Sequence, residues 1–165
     1  SSHPRILASS NPRILKSSDP QIMIFSPTEE SEILEAIRTA ERNSTGEIRL
    51  YVEDFCLRDS PVERAEELFQ LFGMFNTQQR NGVLIYLAEK SRHFAVWGDV
   101  GIHQAVGNSF WEAEKKLLRE HLQNGQAAQG VRLAIEQVGE RLRRFFFFFS
   151  SADNDNELPD DIIYG

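Results

Sequence analysis

Two carboxylates that lie far apart in the chain are the residues best placed to do chemistry. Glu47 opens an alternating segment, and Asp99 lies in the glycine-containing run Gly98–Gly101. Two carboxylates close to backbone carbonyls and a helix N-terminus offer a site for a hard divalent cation such as calcium, or an acid/base pair. Arg80 would add a bidentate contact to phosphate at the same place. These residue types therefore indicate either metal binding or phosphate chemistry.

A simpler interpretation of the two carboxylates stays open. The Asp99 side chain could accept hydrogen bonds from the backbone N–H groups of its turn, as aspartates in turns commonly do, and Glu47 could pair with an arginine. The two interpretations differ in whether the carboxylates are available to a ligand.

A second acidic group competes for the same role. Glu53 and Asp54, with Asp59 close behind, follow the same strand at its other end. Crevices in open α/β sheets form beyond the carboxyl ends of strands, so a metal site is equally conceivable here. Asp59 is more simply a helix-cap residue. The candidate metal ligands are Glu47, Asp99 and Asp54, and the candidate substrate-binding residue is Arg80.

The hydrophobic pattern predicts the strands that position these residues. Glu47–Glu53 alternates with period two, and Val83–Ala88 is a continuous apolar run typical of a central strand. The short polar turn before His93–Trp97 requires a hairpin, because a parallel connection needs about a dozen residues or more. If the first two strands are parallel, Glu47 starts beside Arg80 and the hairpin returns Asp99 to the same edge.

Capping residues and helical spacing predict four helices. Ser26–Glu29 is a capping box, and a second helix begins at Asp59–Glu63. The third helix is predicted from about Phe110, with an uncommitted N-terminus at Ser109, and the fourth from about Ala127. The apolar side of the third helix is predicted to include Ala113, Leu117 and Leu118. The element order predicts an α/β fold, a layered sandwich with a small mixed central sheet and helices on both faces.

Composition excludes several functions. The chain has 165 residues, with 18 basic and 25 acidic side chains and a formal net charge of −7. This balance argues against nucleic-acid binding, which requires a basic surface. No apolar run reaches the roughly 18 residues of a membrane span. One cysteine and four scattered histidines support neither a disulfide nor a zinc site. We expect one soluble domain that has a protein partner and no nucleic-acid partner.

The two ends of the chain differ from its middle. We predict a flexible leader over residues 1–24, native or introduced for expression, a domain over 25–150 and an acidic tail over 151–165. The run Phe145–Phe149 cannot lie on one side of a helix, so some of its rings must pack on the domain end or form an exposed patch. Leu158–Gly165 is predicted to dock as an extended segment. The absence of a signal or anchor favours a cytoplasmic protein, and a periplasmic one stays open.

Several segments together resemble the TPM-domain family, which includes thylakoid-lumen phosphatase-like and photosystem-repair proteins, and the chain is most similar to the short bacterial members. The resemblance covers about residues 26–165. The segments that carry it are Thr45–Glu53, Arg80–Tyr86, Gly98–Ile102, Phe110–Trp111 and Asn156–Asp161.

The resemblance implies a compact α/β sandwich and a divalent metal, with calcium favoured, near an acidic edge. It also implies one of two functions. The first is an accessory or interaction domain that assists assembly or repair of a partner complex. The second is a metal-dependent acid phosphatase acting on phosphomonoesters, in which Glu47 and Asp99 hold the ion and Arg80 contacts phosphate. Metal binding is expected in both cases, and we favour the first.

Overall fold

The computed structural model describes residues 24–148 and 162–165 of the chain. Within these two ranges the protein forms four helices and four strands. The helices are α1 (Pro27–Glu41), α2 (Pro61–Leu71), α3 (Val100–Gln123) and α4 (Ala127–Phe145). The strands are β1 (Glu47–Glu53), β2 (Gly82–Ala88), β3 (His93–Gly98) and β4 (Ile162–Tyr164).

The strands form one mixed sheet in the order β3-β2-β1-β4. β1 and β2 are parallel, with Glu47 opposite Gly82, and β2 and β3 form the antiparallel hairpin that the short turn requires. All seven residues of β2 are buried, as its continuous apolar run predicts. The predicted α/β layered class, with a mixed sheet between helices, is confirmed.

Alternate residues of β1 face two separate apolar layers. Leu50 and its neighbours on one face pack with α1, α3 and α4 in the larger core. Tyr51 lies on the other face, where Leu68 and Phe69 of α2 cover the sheet. Among the described residues α2 is the helix that covers this second face, so polar residues of β1 on that side lie close to the residues of α2.

The first turn of α1 forms the predicted capping box. The Ser26 hydroxyl accepts a hydrogen bond from the Glu29 backbone N–H (3.1 Å), and the Glu29 carboxylate accepts one from the Ser26 N–H (2.9 Å). Replacing Ser26 with alanine should lower the free energy of unfolding by about 1 kcal/mol, because the cap loses its acceptor. Urea unfolding measures the change. The control is Ser31→Ala, an exposed position inside α1, where we expect no loss because alanine is the better helix former.

The beginning of α3 corrects the sequence-based prediction. α3 starts at Val100, earlier than predicted, and Asp99 is its N-cap residue. Gly107 breaks the helix with φ 79° and ψ 173°, a backbone conformation that favours glycine, and a second helical segment follows it, close to the start predicted near Phe110. The first segment has little apolar periodicity, since its one buried residue is Ile102, and this hid the true start. Ala113, predicted to lie on the apolar side, is exposed.

The segment that ends at Gly165 docks on the sheet, as expected of an extended segment. β4 runs parallel to β1, and Ile162, Ile163 and Tyr164 are buried. The Gly165 backbone N–H donates to the Val52 carbonyl. The predicted leader up to residue 23 and the tail residues 151–161 lie outside the described residues. In the described ranges, no helix combines the length and the apolar character needed to cross a membrane.

Candidate functional site

The starts of β1 and β2 and the end of β3 meet at one edge of the sheet, here called the Asp99 edge. Glu47 pairs in register with Gly82, which is preceded by Arg80 and Asn81. The Asp99 backbone N–H donates to the Gly82 carbonyl at 3.0 Å. The structure therefore brings Glu47, Arg80 and Asp99 to a single edge, as the parallel pair and the hairpin predict.

Asp99 already has three hydrogen bonds at this edge. Its carboxylate accepts the Arg80 Nε at 2.6 Å and Nη2 at 2.9 Å, and it caps α3 by accepting the Val100 N–H at 2.8 Å. The Asp99 side chain is buried, whereas that of Arg80 is 46% exposed. Hydrogen bonds from Arg80 to Asp99, and their opposite charges, raise the pKa of the Arg80 guanidinium. The structure thus has a helix N-terminus at Val100, which Asp99 itself caps, in addition to the segment that starts after Gly107.

Glu47 is also buried, with 3% of its surface exposed. Its place at the first position of β1, opposite Gly82, puts a second carboxylate at the Asp99 edge.

Asn81 is a polar residue of this edge whose importance the sequence did not reveal. It is fully buried, and its side-chain Nδ2 donates to the Thr45 hydroxyl at 2.9 Å. Its Oδ1 atom has no hydrogen-bond partner among the described residues. An unpaired buried amide oxygen is costly unless something binds it. No sequence signal singles it out, because Asn81 is the last of six consecutive polar residues, Asn76–Asn81, that precede β2.

Backbone oxygens add to the polar character of the Asp99 edge. The Arg80 carbonyl accepts the Gly101 N–H at 2.8 Å. A Cβ atom at Gly101 would lie 2.0 Å from the Gln79 carbonyl oxygen and 2.7 Å from that of Arg80. Only glycine therefore allows the loop before β2 to pack this closely on the first turn of α3, which places backbone carbonyls beside Asp99.

Asp54 lies at the opposite edge, where β1 ends, so the three candidate metal ligands do not form one cluster. Its carboxylate is 3.7 Å from the Lys90 Nζ, and its backbone carbonyl accepts the Lys90 N–H at 2.7 Å. The cap of α2 is Ser60, not Asp59, which is exposed. Within residues 24–148 and 162–165, no group of three or more histidine, cysteine, aspartate or glutamate side chains is arranged to hold a metal ion.

A buried charge pair joins β1 to α2 on the second face of the sheet. Arg64 donates from Nε and Nη2 to the Glu53 carboxylate at 2.9 and 3.0 Å, and from Nη1 to Glu67 at 2.8 Å. The Tyr86 hydroxyl donates to the same Glu53 carboxylate. Burial, together with this bond to Glu53, raises the pKa of Tyr86. Each of these groups is hydrogen-bonded within the cluster, which indicates a structural role.

A further buried carboxylate, Glu114 of α3, is in a very different state. It is fully buried, and neither carboxylate oxygen has a hydrogen-bond partner in the described part of the chain. Burial raises its pKa to about 8, although the nearby charge of Arg141 opposes the shift.

A cavity of about 550 Å³ lies between α3 and α4, with Phe110 and Arg141 in its wall. The Arg141 guanidinium stacks over the Phe110 ring at 5.0 Å.

One protein-family model matches most of the chain. The family model of the TPM domain matches residues 20–141. The chain is similar to the solved structure of BA42 from the psychrophilic bacterium Bizionia argentinensis, with 35% identity and a TM-score of 0.77, over 87% of this chain and 97% of that one. A comparison with curated proteins gives no match.

Two further solved structures share the fold. The N-terminal domain of the cg2496 protein from Corynebacterium glutamicum has 15% identity and a TM-score of 0.57, over 80% of this chain and 84% of that one. The N-terminal domain of a protein from P. gingivalis has 14% identity and a TM-score of 0.61, over 89% and 99% of the two chains.

Proposed function

The chain belongs to the TPM domain family, and from this premise we propose that it is an accessory or interaction domain that binds a divalent cation at the Asp99 edge. Calcium is the favoured ion. The observation that carries this proposal is the fully buried Asn81 Oδ1, which has no partner in the described residues and lies between Arg80 and Gly82, the two residues bound to Asp99. We further propose that the domain assists assembly or repair of a partner complex.

The residues of this edge fit the ligand preferences of calcium. Calcium takes carboxylate, amide and backbone carbonyl oxygens together and tolerates irregular geometry. Asp99 and Glu47 would supply the negative charge, and Asn81 would supply the neutral oxygen that now lacks a partner. When bound, the ion would supply positive charge at the edge of the sheet.

Arg80 is the expected competitor of the cation. Its guanidinium uses the same Asp99 oxygens that an ion would need, and two positive charges beside one carboxylate repel each other. Because the Arg80 side chain is half-exposed, it can swing into solvent when an ion arrives. Metal binding at this edge therefore predicts release of Arg80 from Asp99.

Calcium titration, followed by amide and arginine Nε–H NMR signals and by thermal unfolding, tests the proposal. Saturation at about 100 times Kd should stabilise the fold by about 2.7 kcal/mol. The largest shifts should occur at Asn81, Asp99 and the Arg80 Nε–H. No shift and no stabilisation at saturating calcium would disprove metal binding. Shifts centred on Asp54 instead would place the site at the opposite edge of the sheet.

Three variants make this test specific. Asp99→Asn should weaken calcium binding roughly tenfold or more, because the charge of the ligands sets affinity. An asparagine still caps the helix, so the fold should persist. Asp59→Asn removes an exposed carboxylate and is the matched control. Arg80→Gln should leave calcium affinity equal or higher, because it removes the competitor. A loss of binding in Arg80→Gln would contradict the proposed competition.

A metal-dependent acid phosphatase is the second candidate. The observation in its favour is the half-exposed Arg80 guanidinium at the same edge, since its fork suits a phosphate group. We rank it second because this fork is bound to Asp99. Phosphatase activity would require Arg80, so turnover of a phosphomonoester that disappears in both Arg80→Gln and Asp99→Asn would favour catalysis. Turnover that survives in both variants would exclude this edge as the active site.

A further inference from the structure

The phenylalanine run at the end of α4 forms an exposed apolar patch. Phe145, Phe147 and Phe148 are 44%, 65% and 45% exposed, and these three residues are here called the phenylalanine patch. Phe146 between them is partly buried and packs against the larger core. Three large exposed rings within four successive residues of a small domain are typical of an interaction site.

The backbone of the patch is held in place. The Phe146 carbonyl accepts the Thr45 N–H at 3.0 Å, and the Phe148 N–H donates to the Asn43 carbonyl at 3.0 Å. Phe147 forms an antiparallel bridge with Ser44. These bonds tie the end of α4 to the loop between α1 and β1, so the rings are presented by ordered backbone.

Arginines lie next to the phenylalanine patch in the chain and in the neighbouring loop. Arg42 and Arg144 are exposed, and the Arg144 guanidinium lies 5.4 Å from the centre of the Phe145 ring. Arg143 donates to the Thr39 carbonyl and so lies beside the end of α1. Segments 38–45 and 140–148 together contain five arginines and two glutamates. Glu41 is buried, and Arg38 and Arg141 pair with Glu35 and Glu140, so the excess positive charge at this end comes from Arg42, Arg143 and Arg144.

We propose that the phenylalanine patch docks the domain on the surface of an anionic lipid bilayer. Aromatic rings flanked by arginines match an interface in which the rings enter the acyl boundary and the guanidinium groups contact anionic headgroups. A second copy of the chain fits less well, because a two-fold contact through this patch would bring the arginines of both copies together. The proposed docking is peripheral and does not require bound calcium.

Sedimentation with vesicles in calcium-free buffer containing a chelator tests the proposal. The whole chain should sediment with phosphatidylcholine vesicles that contain phosphatidylserine, and much less with phosphatidylcholine alone. Raised salt should weaken the binding, because it screens the arginines. A chain that stays in the supernatant with both kinds of vesicle would overturn the proposal.

Variants of exposed residues test whether vesicle binding depends on the phenylalanine patch or on exposed residues elsewhere. The triple change Phe145→Ser, Phe147→Ser and Phe148→Ser should weaken vesicle binding roughly tenfold or more. Its matched control replaces three exposed apolar residues elsewhere, namely Phe55, Leu57 and Leu71, with serine. Arg42→Glu with Arg144→Glu should have a similar effect. The control for this pair is Arg92→Glu with Lys116→Glu, both exposed.

Thermal unfolding of each variant confirms that the fold is kept. Equal loss of vesicle binding in the patch and control variants would contradict the proposal. Sedimentation velocity provides the remaining test. A dimer that the serine changes dissociate, together with absent vesicle binding, would assign the patch to a second copy of the chain.

Discussion

Replacing Arg64 with methionine should lower the free energy of unfolding by about 3–5 kcal/mol, because it leaves the Glu53 carboxylate buried without its cation. Both side chains of the pair are at most 4% exposed, so water cannot take the place of the guanidinium. Tyr86 would still donate one hydrogen bond to Glu53, but a single hydrogen bond does not offset the free-energy cost of burying an unpaired negative charge. Urea unfolding at neutral pH measures the loss.

Two further variants separate the buried charge from the packing of the arginine stem. Arg58→Met removes an exposed partner of Glu67 and should cost less than about 1 kcal/mol. Glu53→Gln combined with Arg64→Met removes both charges and should recover much of the stability, since a neutral amide can still accept from Tyr86. If the double variant is as unstable as Arg64→Met alone, the loss comes from packing and not from the unpaired charge.

Replacing Glu114 with leucine should stabilise the protein at alkaline pH, by about 4 kcal/mol more at pH 9 than at pH 5. Burial raises the pKa of Glu114 from an ordinary value near 4.5 to about 8 in the folded state. The folded state therefore holds the proton more tightly than the unfolded state does. The favourable contribution of the protonated acid is complete below about pH 4.5 and is lost as pH rises through 8.

Urea unfolding at several pH values, for the parent and the variant, measures this difference directly. Leucine does not titrate, so the difference between the two proteins isolates the carboxylate of Glu114. Glu112→Leu, on the same helix but with a side chain 70% exposed, is the matched control and should give a nearly constant difference. A constant difference for Glu114→Leu as well would show that its carboxylate has an ordinary pKa or a partner.

The sheet could be predicted from the sequence because its signals are local and strong. The continuous apolar run of β2 and the short turn to β3 allow only a hairpin, and the helix between β1 and β2 requires a crossover. Chain direction alone then brings Glu47, Arg80 and Asp99 to one edge. Asp99 accepts the Val100 N–H, as its simpler interpretation expects, but its pairing with Arg80 was not predicted, since that interpretation gave the arginine partner to Glu47.

Other features depend on tertiary packing and could not be predicted in the same way. The first segment of α3 has two glycines and one buried residue, so its start carried almost no periodic signal. The burial of Asn81 depends on how tightly its loop packs against Gly101. Glu114 did carry a sequence signal, because Trp111, Glu114 and Leu118 follow helical spacing and the outer two are apolar. A polar residue in such a row suggests a buried acid.

The position of β4 in the sheet has a consequence for biosynthesis. β1 pairs with β2 on one side, but its other side is completed by Ile162–Tyr164, which leave the ribosome long after β1 has emerged. Until then, the outer hydrogen-bonding groups of β1 remain unpaired in any partly folded chain. Exposed strands of this kind recruit other strands and promote aggregation. The nascent chain should therefore be most vulnerable to misassembly, and most dependent on chaperones, just before these last described residues are translated.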